Sequence, residues 1–390
     1  MRRLPLDYAI RNLGRSPTRL LLTVGGSGLL VLIVLTAAAF VRGMGLSLQG
    51  SGGANNVILL GTGSEESVER SEIGARVAGI VAGTIRGIRE DMGTPFVSPE
   101  VHVQLPTRLA RDGERGALVM VRGVTPAALL VHDQVRLVEG RLPMQGRNEV
   151  MVGGATSTRL GVRSDELAVG GELWIDKQPW IIVGRFEALG TVMDAEIWTS
   201  LTDLKTAMKR ETDSCVILTL DPQAGEYSDV DLFARTRLDL ELTAIPETAY
   251  YARLSAFFAP IRAVVWITAG LIAIGGLLGG LNTMYAAFVS RVREFGTLQA
   301  LGFRRVAILA SLVQESVVAT AAGALIGSAL GLWLLDGVAV RFSIGAFGLV
   351  VDAPVLGVSL GAGLILGVIG AMPPGIRCLR MPIPSALKAV

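Results

Sequence analysis

Residues Leu20–Val41 read LLLTVGGSGLLVLIVLTAAAFV, with no charge between Arg19 and Arg42. A bilayer core about 30 Å thick is crossed by about 20 such residues as a helix, so this run marks a membrane protein. It is longer than the apolar core of a secretory leader, and no clean small-x-small site precedes Arg42, so it reads as a retained span. Three more runs pass the same test. They lie between Arg262 and Arg291, from Arg305 to Asp336 (interrupted only by Gln314 and Glu315), and between Asp352 and Arg377. The chain is 51% hydrophobic and 18% charged, where a soluble domain carries about a quarter charged residues. That balance excludes an ordinary cytosolic enzyme and a disordered chain alike.

Orientation follows from the basic residues beside the spans. The N-terminal segment, the loop holding Arg291, Arg293, Arg304 and Arg305, and the tail together carry +10, whereas the stretch between the first two spans carries −6. The expectation is therefore an integral membrane α-helical protein of the cytoplasmic (inner) membrane. It has four transmembrane helices, both termini inside, and a large α/β extracytoplasmic domain. Its expected parts are a cytoplasmic amphipathic helix 1–19, spans at 20–45, 256–290, 306–336 and 352–376, and an external domain 46–255. A cytoplasmic loop 291–305, a short external loop 337–351 and a tail 377–390 complete it. Cys215 and Cys378 then lie on opposite sides of the membrane and cannot pair; each reads as a small packed residue.

Within the external domain, Asn56–Leu60 reads as a strand and Glu69–Ile88 as an amphipathic helix, followed by a strand near Phe96–Leu105 broken by Pro99. Short strands separated by turns then suggest a β-rich insertion, 111–204, between two α/β pieces, 46–110 and 205–255.

Catalytic chemistry is not visible. The four lysines, Lys177, Lys205, Lys209 and Lys388, never follow a glycine, so no phosphate-binding loop of the Gly-Lys-Ser/Thr type is present. His102 and His132 stand 30 residues apart with no cysteine cluster near them, and are expected to be exposed polar residues. The acids Glu65–Glu66, Asp165–Glu166 and Asp229–Asp231 read as solvated loops. No catalytic, cofactor-binding or metal-binding residue is assigned, and the small net charge of +2 gives no support to nucleic-acid binding.

Small residues four apart do carry information, because they let membrane helices approach closely. Gly275 and Gly279 form such a pair in the second span, and Gly323, Gly327 and Gly331 a ladder in the third. Packing within the chain and dimerisation are both open for each. Glu315 lies ten residues past Arg305, roughly 15 Å along a helix. It has no acid or histidine partner in the other spans, so it reads as a structural residue facing protein rather than a proton relay.

The stretch from Asn282 to Gly331 resembles the signature of the FtsX-like permease family. The matching positions are Asn282 and Met284, Arg291 or Arg293, Glu294, Gly296, Ala300–Leu301–Gly302, Glu315 and the glycine ladder. Residues Tyr8–Leu13 resemble that family's cytoplasmic lead-in helix, and Pro384–Lys388 its tail. The external domain is similar in layout to the periplasmic core of MacB-like permeases, with porter-like half-domains around the β-rich insertion. The resemblance is specific across spans two and three and looser elsewhere.

This resemblance implies an ABC transporter permease of the mechanotransmission type. A coupling helix at Arg291, Val292, Glu294, Phe295, Gly296, Leu298, Leu301 and Gly302 would dock on a separate ABC ATPase, which would hold the ATP and Mg; this chain would bind no cofactor. Val292, Phe295, Leu298 and Leu301 share one apolar face suited to a groove, and the same pattern suits a helix lying on lipid headgroups. Implied partners are a second permease copy, more readily a homodimer, and a periplasmic adaptor. Implied uses are export or extraction of a lipid, lipoprotein, peptide or drug-like molecule, or control of a cell-wall hydrolase. A non-energised sensor or scaffold and an ion-coupled transporter are the rivals. On this reading, Phe295→Asp or Leu298→Asp abolishes partner-stimulated ATP turnover and leaves membrane insertion intact.

Overall fold

A computed structural model describes residue 12 and residues 16–111, 113, 116–342 and 345–388. The lead-in helix expected at 1–19 lies outside the described residues, except for Asn12 and the positions from Ser16 onward. The chain divides into two units. One comprises Gly43–Ala259 with Ala339–Gly348; the other comprises Met1–Arg42, Pro260–Val338 and Leu349–Val390.

The first unit is built on a ten-stranded sheet. Its strands are β1 (Asn56–Gly61), β2 (Val97–Arg108), β3 (Gly116–Val124), β4 (Arg136–Gly140) and β5 (Glu149–Gly153), then β6 (Glu172–Ile175), β7 (Gln178–Glu187), β8 (Ile197–Ser200), β9 (Cys215–Thr219) and β10 (Leu242–Pro246). Their order is β10-β1-β9-β2-β3-β8-β5-β7-β4, with β6 on β2 and β7. Several apolar cores result, one of them around Met151, Phe186 and Trp198. A second gathers Val57, Leu59, Val97, Val216 and Leu218 with Val77, Val81, Val230 and Phe233 from two helices, Val77–Thr84 and Tyr227–Thr236. A third gathers Val121, Val150, Trp180, Ile182 and Ile197 in the middle of the chain.

Strand β2 belongs to both halves. Its start pairs β9 (Ser98 with Ile217) and its remainder pairs β3 (Val101 with Gly123 through Arg108 with Gly116). Pro99 does not break it. Thr219 N donates to Phe96 O, and alternation along the ladder leaves Pro99 in a non-bonded position facing β9. Pairing with β3 begins only at Val101, so the missing N–H deprives no partner.

The helix expected over Glu69–Ile88 is shorter, Val77–Thr84. Ile73 exchanges two backbone bonds with Asp213, each 2.9 Å, which pins it in extended form. At the other end Ile85 is extended (ψ 125°). The loop expected at 337–351 is a β-hairpin, Ala339–Phe342 with Gly345–Gly348. It is fastened to the short helix Thr156–Leu160 by Arg341 Nε on Thr158 O (2.6 Å) and by Arg159 on Phe342 O.

Among the described residues four helices are long and apolar enough to cross a membrane, Pro17–Gly50, Ala259–Val289, Arg305–Leu335 and Ala353–Leu379, and apart from Gly43–Gly50 and Ala259 they belong to the second unit. The shortest, at 27 residues, reaches about 40 Å at 1.5 Å per residue. Asp352 caps the last of these, accepting from Val355 N at 3.3 Å, and also receives Arg42 Nε at 2.7 Å.

The small-residue stripes divide into two sorts. A Cβ on Gly327 would come within 2.4 Å of Gly28 O, one on Gly323 would strike Ser27 and Val24, and one on Gly331 would meet Leu35 at 2.7 Å. This ladder is therefore consumed by packing the third helix on the first. Gly275 and Gly279 meet nothing within 4 Å, while their neighbours Gly276 and Gly280 pack on Leu30 and Leu366. Around that open pair Ile267, Leu271 and Leu278 are at least 60% exposed.

Backbone contact makes the ladder intolerant of bulk. Gly327→Val is expected to cost at least the roughly 1–3 kcal/mol of an overpacked core, lowering the thermal midpoint of the detergent-solubilised monomer. Gly279→Val is expected to leave that midpoint unchanged; equal losses would contradict the assignment.

Candidate coupling site

Ser290 follows the second long helix, and a short helix, Val292–Ala300, comes before the third long helix begins at Arg305. Arg291 stands at the junction, 8% exposed. Its Nη1 donates to both oxygens of Glu315, at 3.0 and 3.3 Å, and its Nε to Glu294 at 3.2 Å. Glu315 also receives Arg19 Nη2 at 2.5 Å and Asn12 Nδ2 at 2.7 Å. One carboxylate thus joins the start of the first long helix, the short loop helix and the third long helix. Buried ions in an apolar surround persist only when paired and hydrogen-bonded, and here two guanidiniums and an amide serve one anion.

Glu315 is 5% exposed and faces protein. The missed signal was basic rather than acidic: Arg19 and Arg291 flank their spans at the same end as Arg305, within side-chain reach of a carboxylate three turns in.

The apolar face of the loop helix is used differently from the expectation. Val292 (3% exposed) and Phe295 (1%) are buried in a cluster of this chain's own residues, with Met284, Phe288, Ile308, Leu312, Ala371, Leu379 and Ala386. Phe295 meets Phe288 edge-on at 6.4 Å, and Arg291 lies 5.3 Å over its ring. Leu298 is partly buried against the same cluster. Gly296 admits the tail helix Ile383–Lys388: a Cβ there would lie 3.0 Å from that of Ala386. An amphipathic stripe demands an apolar partner without naming it, and the chain supplies its own. What the loop presents outward is Arg293, Thr297, Ala300, Leu301 (63% exposed), Gly302, Arg304 and Val306 (75%). Gly302, at φ +89° with open space around it, makes the turn.

The other unit corrects a second expectation. His102 (5% exposed) and His132 (0%) are buried, not exposed. Both contact Glu100, His102 Nε2 at 2.9 Å and His132 Nε2 at 2.8 Å. Arg122 donates to Glu100 at 2.8 Å and grips Glu196 with two bonds of 2.7 and 2.8 Å, while Trp198 Nε1 reaches Glu196 at 2.8 Å. Cys215 Sγ lies 3.8 Å from His102. Glu100, His102 and Cys215 bring donor atoms within 4.8 Å of one another. However, Glu100 is filled by Ser98, His102, Arg122 and His132, and burial with the Glu100 charge pushes the Cys215 thiol far above its ordinary pKa. Among the described residues the group is a hydrogen-bonded network in which Glu100 already has four side-chain partners. Asp165 and Glu166 are exposed as expected but sit in a 3-10 helix, Ser164–Leu167, and Asp229 and Asp231 sit on the helix Tyr227–Thr236, rather than in loops.

Removing Glu315 leaves two guanidiniums without their anion. Glu315→Ala is expected to destabilise by about 3–5 kcal/mol, seen as a lowered thermal midpoint in detergent. Glu294→Ala, at a carboxylate 43% exposed, is expected to change it by less than about 1 kcal/mol. A Glu315→Ala protein as stable as wild type would remove the hub.

Residues 266–383, which take in the loop helix and Glu315, match the family described as FtsX-like permease C-terminal. The chain is 22% identical to the ABC transporter permease YknZ of Bacillus subtilis, over 99% of this chain and 98% of that one. It is 23% identical to the macrolide export ATP-binding/permease protein MacB of Bdellovibrio bacteriovorus over 93% of its own length, spanning 59% of that protein. Among solved structures, the periplasmic region of MacB from Actinobacillus actinomycetemcomitans aligns with a TM-score of 0.41 and 10% identity, over 52% of this chain and 94% of that one. The extracellular domain of the transporter YknZ from Gram-positive bacteria aligns with a TM-score of 0.36 and 14% identity, over 49% and 100%. With the family match lying on the loop, the hub and the glycine ladder, residues 266–383 carry an FtsX-like permease domain, and the whole chain is similar to ABC transporter permeases of the FtsX/MacB-like type.

Proposed function

We propose that this permease lets ATP turnover on a separate P-loop ATPase move its extracytoplasmic domain, for export or extraction of a lipid, lipoprotein, peptide or drug-like molecule. The ATPase holds ATP and Mg; this chain is the non-catalytic transmembrane subunit. The observation that carries the reading is the Glu315 hub. A push on the loop helix meets no slack there, because Arg291 delivers it to a carboxylate shared with the first and third long helices. The docking face in this reading is the exposed turn at Leu301–Gly302 with Arg293 and Thr297, since Val292 and Phe295 hold the loop helix to its own chain. The open side at Gly275 and Gly279 is proposed as the contact with a second permease copy. An adaptor outside the membrane fits the same scheme. Orientation, with both termini and the loop in the cytoplasm, rests on the +10 and −6 charge asymmetry.

An acid at Phe295 would open the protein's own core, whereas one at the exposed tip would not. Tagged chain purified in detergent from its native membrane should bring down a P-loop ATPase and raise its ATP turnover. Leu301→Asp should reduce that stimulation at least tenfold with the thermal midpoint unchanged, and Leu301→Met should retain it. Full stimulation by Leu301→Asp would reject this docking face. An ATPase-free preparation would favour a membrane-anchored sensor instead.

A further inference from the structure

Three carboxylates and one guanidinium are buried together in the sheet-bearing unit: Glu100, Glu196, Glu247 and Arg122, none more than 4% exposed. Arg122 serves Glu196 and Glu100. Glu247 has only neutral donors, Gly53 N at 2.7 Å and Asn56 Nδ2 at 2.8 Å, both on Oε2. Its Oε1 has no hydrogen-bond partner among the described residues. Neither has Nδ1 of His132, 4.0 Å away.

The tautomer of His132 follows from its other nitrogen. Burial opposes ionisation of Glu100, yet the charges of His132 and Arg122 hold its pKa well below the ordinary carboxylate value. Glu100 is therefore an acceptor only, and His132 Nε2, 2.8 Å from it, must carry a hydrogen. Arg122 Nη1, 3.5 Å from the same nitrogen, cannot then be its donor. In the neutral ring Nδ1 is bare, and the nearby Glu247 Oε1, at ion-pair distance of 4.0 Å, offers it no hydrogen. The arrangement is one proton short.

We propose that His132 and Glu247 form a buried proton-binding site, in which one proton from outside joins Nδ1 to Oε1. The N–H bond forms as an O–H bond of hydronium breaks, releasing water to the solvent. His132 is faced by Glu100 from β2, Arg122 from β3, the Trp198 ring of β8 at 5.7 Å, and Glu247 from the helix Glu247–Phe257. His102 and Cys215 lie on the Glu100 side, and Glu196 reaches the site through Arg122. Solvent approaches along a cleft of about 1130 Å³ that Glu247 lines with Tyr250, Tyr251 and Arg253.

Burial opposes charge on His132, but Glu100 and Glu247 raise its pKa above 6.5. Burial also raises that of Glu247, with His132, Gly53 and Asn56 opposing incompletely. A folded-state pKa raised above the unfolded value gives stability present below about 6.5 and lost as pH climbs through the folded value. His102 moves the other way, lowered by burial and Arg122, so its contribution fades only as pH falls below about 6.5. The proton would tie three pieces of chain: Gly53 and Asn56 just after the first long helix, Glu247 ahead of the second, and His132 from the middle of the domain.

Hydrogen exchange of the full-length chain in nanodiscs, corrected for base catalysis, tests this in segments 53–61 and 247–257 from about pH 6.5 to about 8.5. The wild-type opening constant should rise by up to about tenfold per pH unit, the limit for one proton. Glu247→Gln should flatten the dependence, because its amide supplies the missing hydrogen while its carbonyl keeps Gly53 and Asn56. His132→Gln should flatten it as well. A flat wild type, or a Glu247→Gln or His132→Gln chain with the wild-type slope, overturns the proposal. If one variant fails to fold, the wild-type slope and the other variant decide it.

Discussion

An ionised carboxylate inside an apolar helix bundle has to be met by cations, and the arrangement around Glu315 follows from that requirement. The anion lies well inside the third long helix, and its counter-charges come from two other segments, Arg19 and Arg291. Neither segment can drift without leaving charge stranded in a medium that tolerates it poorly. The apolar cluster around Phe288 and Phe295 supplies the bulk of the contact area there, but apolar contacts are non-directional. The carboxylate gives the loop helix its one allowed rotation.

The sheet-bearing unit answers a similar demand in a different way. Its two halves have separate apolar cores, yet strand β2 runs through both, and Glu100 sits where the pairing changes from β9 to β3. Hydrogen bonds from β2, β3 and the segment after Val131 converge on that residue. Sliding one half against the other would therefore break a network that water cannot rescue.

The four long helices and the sheet-rich domain were legible because length without charge is a one-dimensional property. The rest was hidden for a common reason. Val292 and Phe295 make the same stripe whether their groove is on another protein or on the chain's own helices. Gly275 and Gly323 look equivalent until a neighbour at Gly28 separates them. His102 and His132 carry no mark of burial, since each is polar and their shared partner Glu100 is distant in sequence from His132. In the stretch 69–88 the periodicity was real, but Ile73 answers to Asp213 across the sheet rather than to its helical neighbours. Each miss concerns which surface a pattern faces, and that depends on tertiary neighbours.

The hairpin Ala339–Gly348 also sets the chain topology. Because it belongs to the sheet-bearing unit, the backbone crosses between the two units four times rather than twice. Arg341 and Arg159 bind that hairpin to the helix Thr156–Leu160 of the same unit, so the connection between the third and fourth long helices is itself part of the sheet-bearing fold.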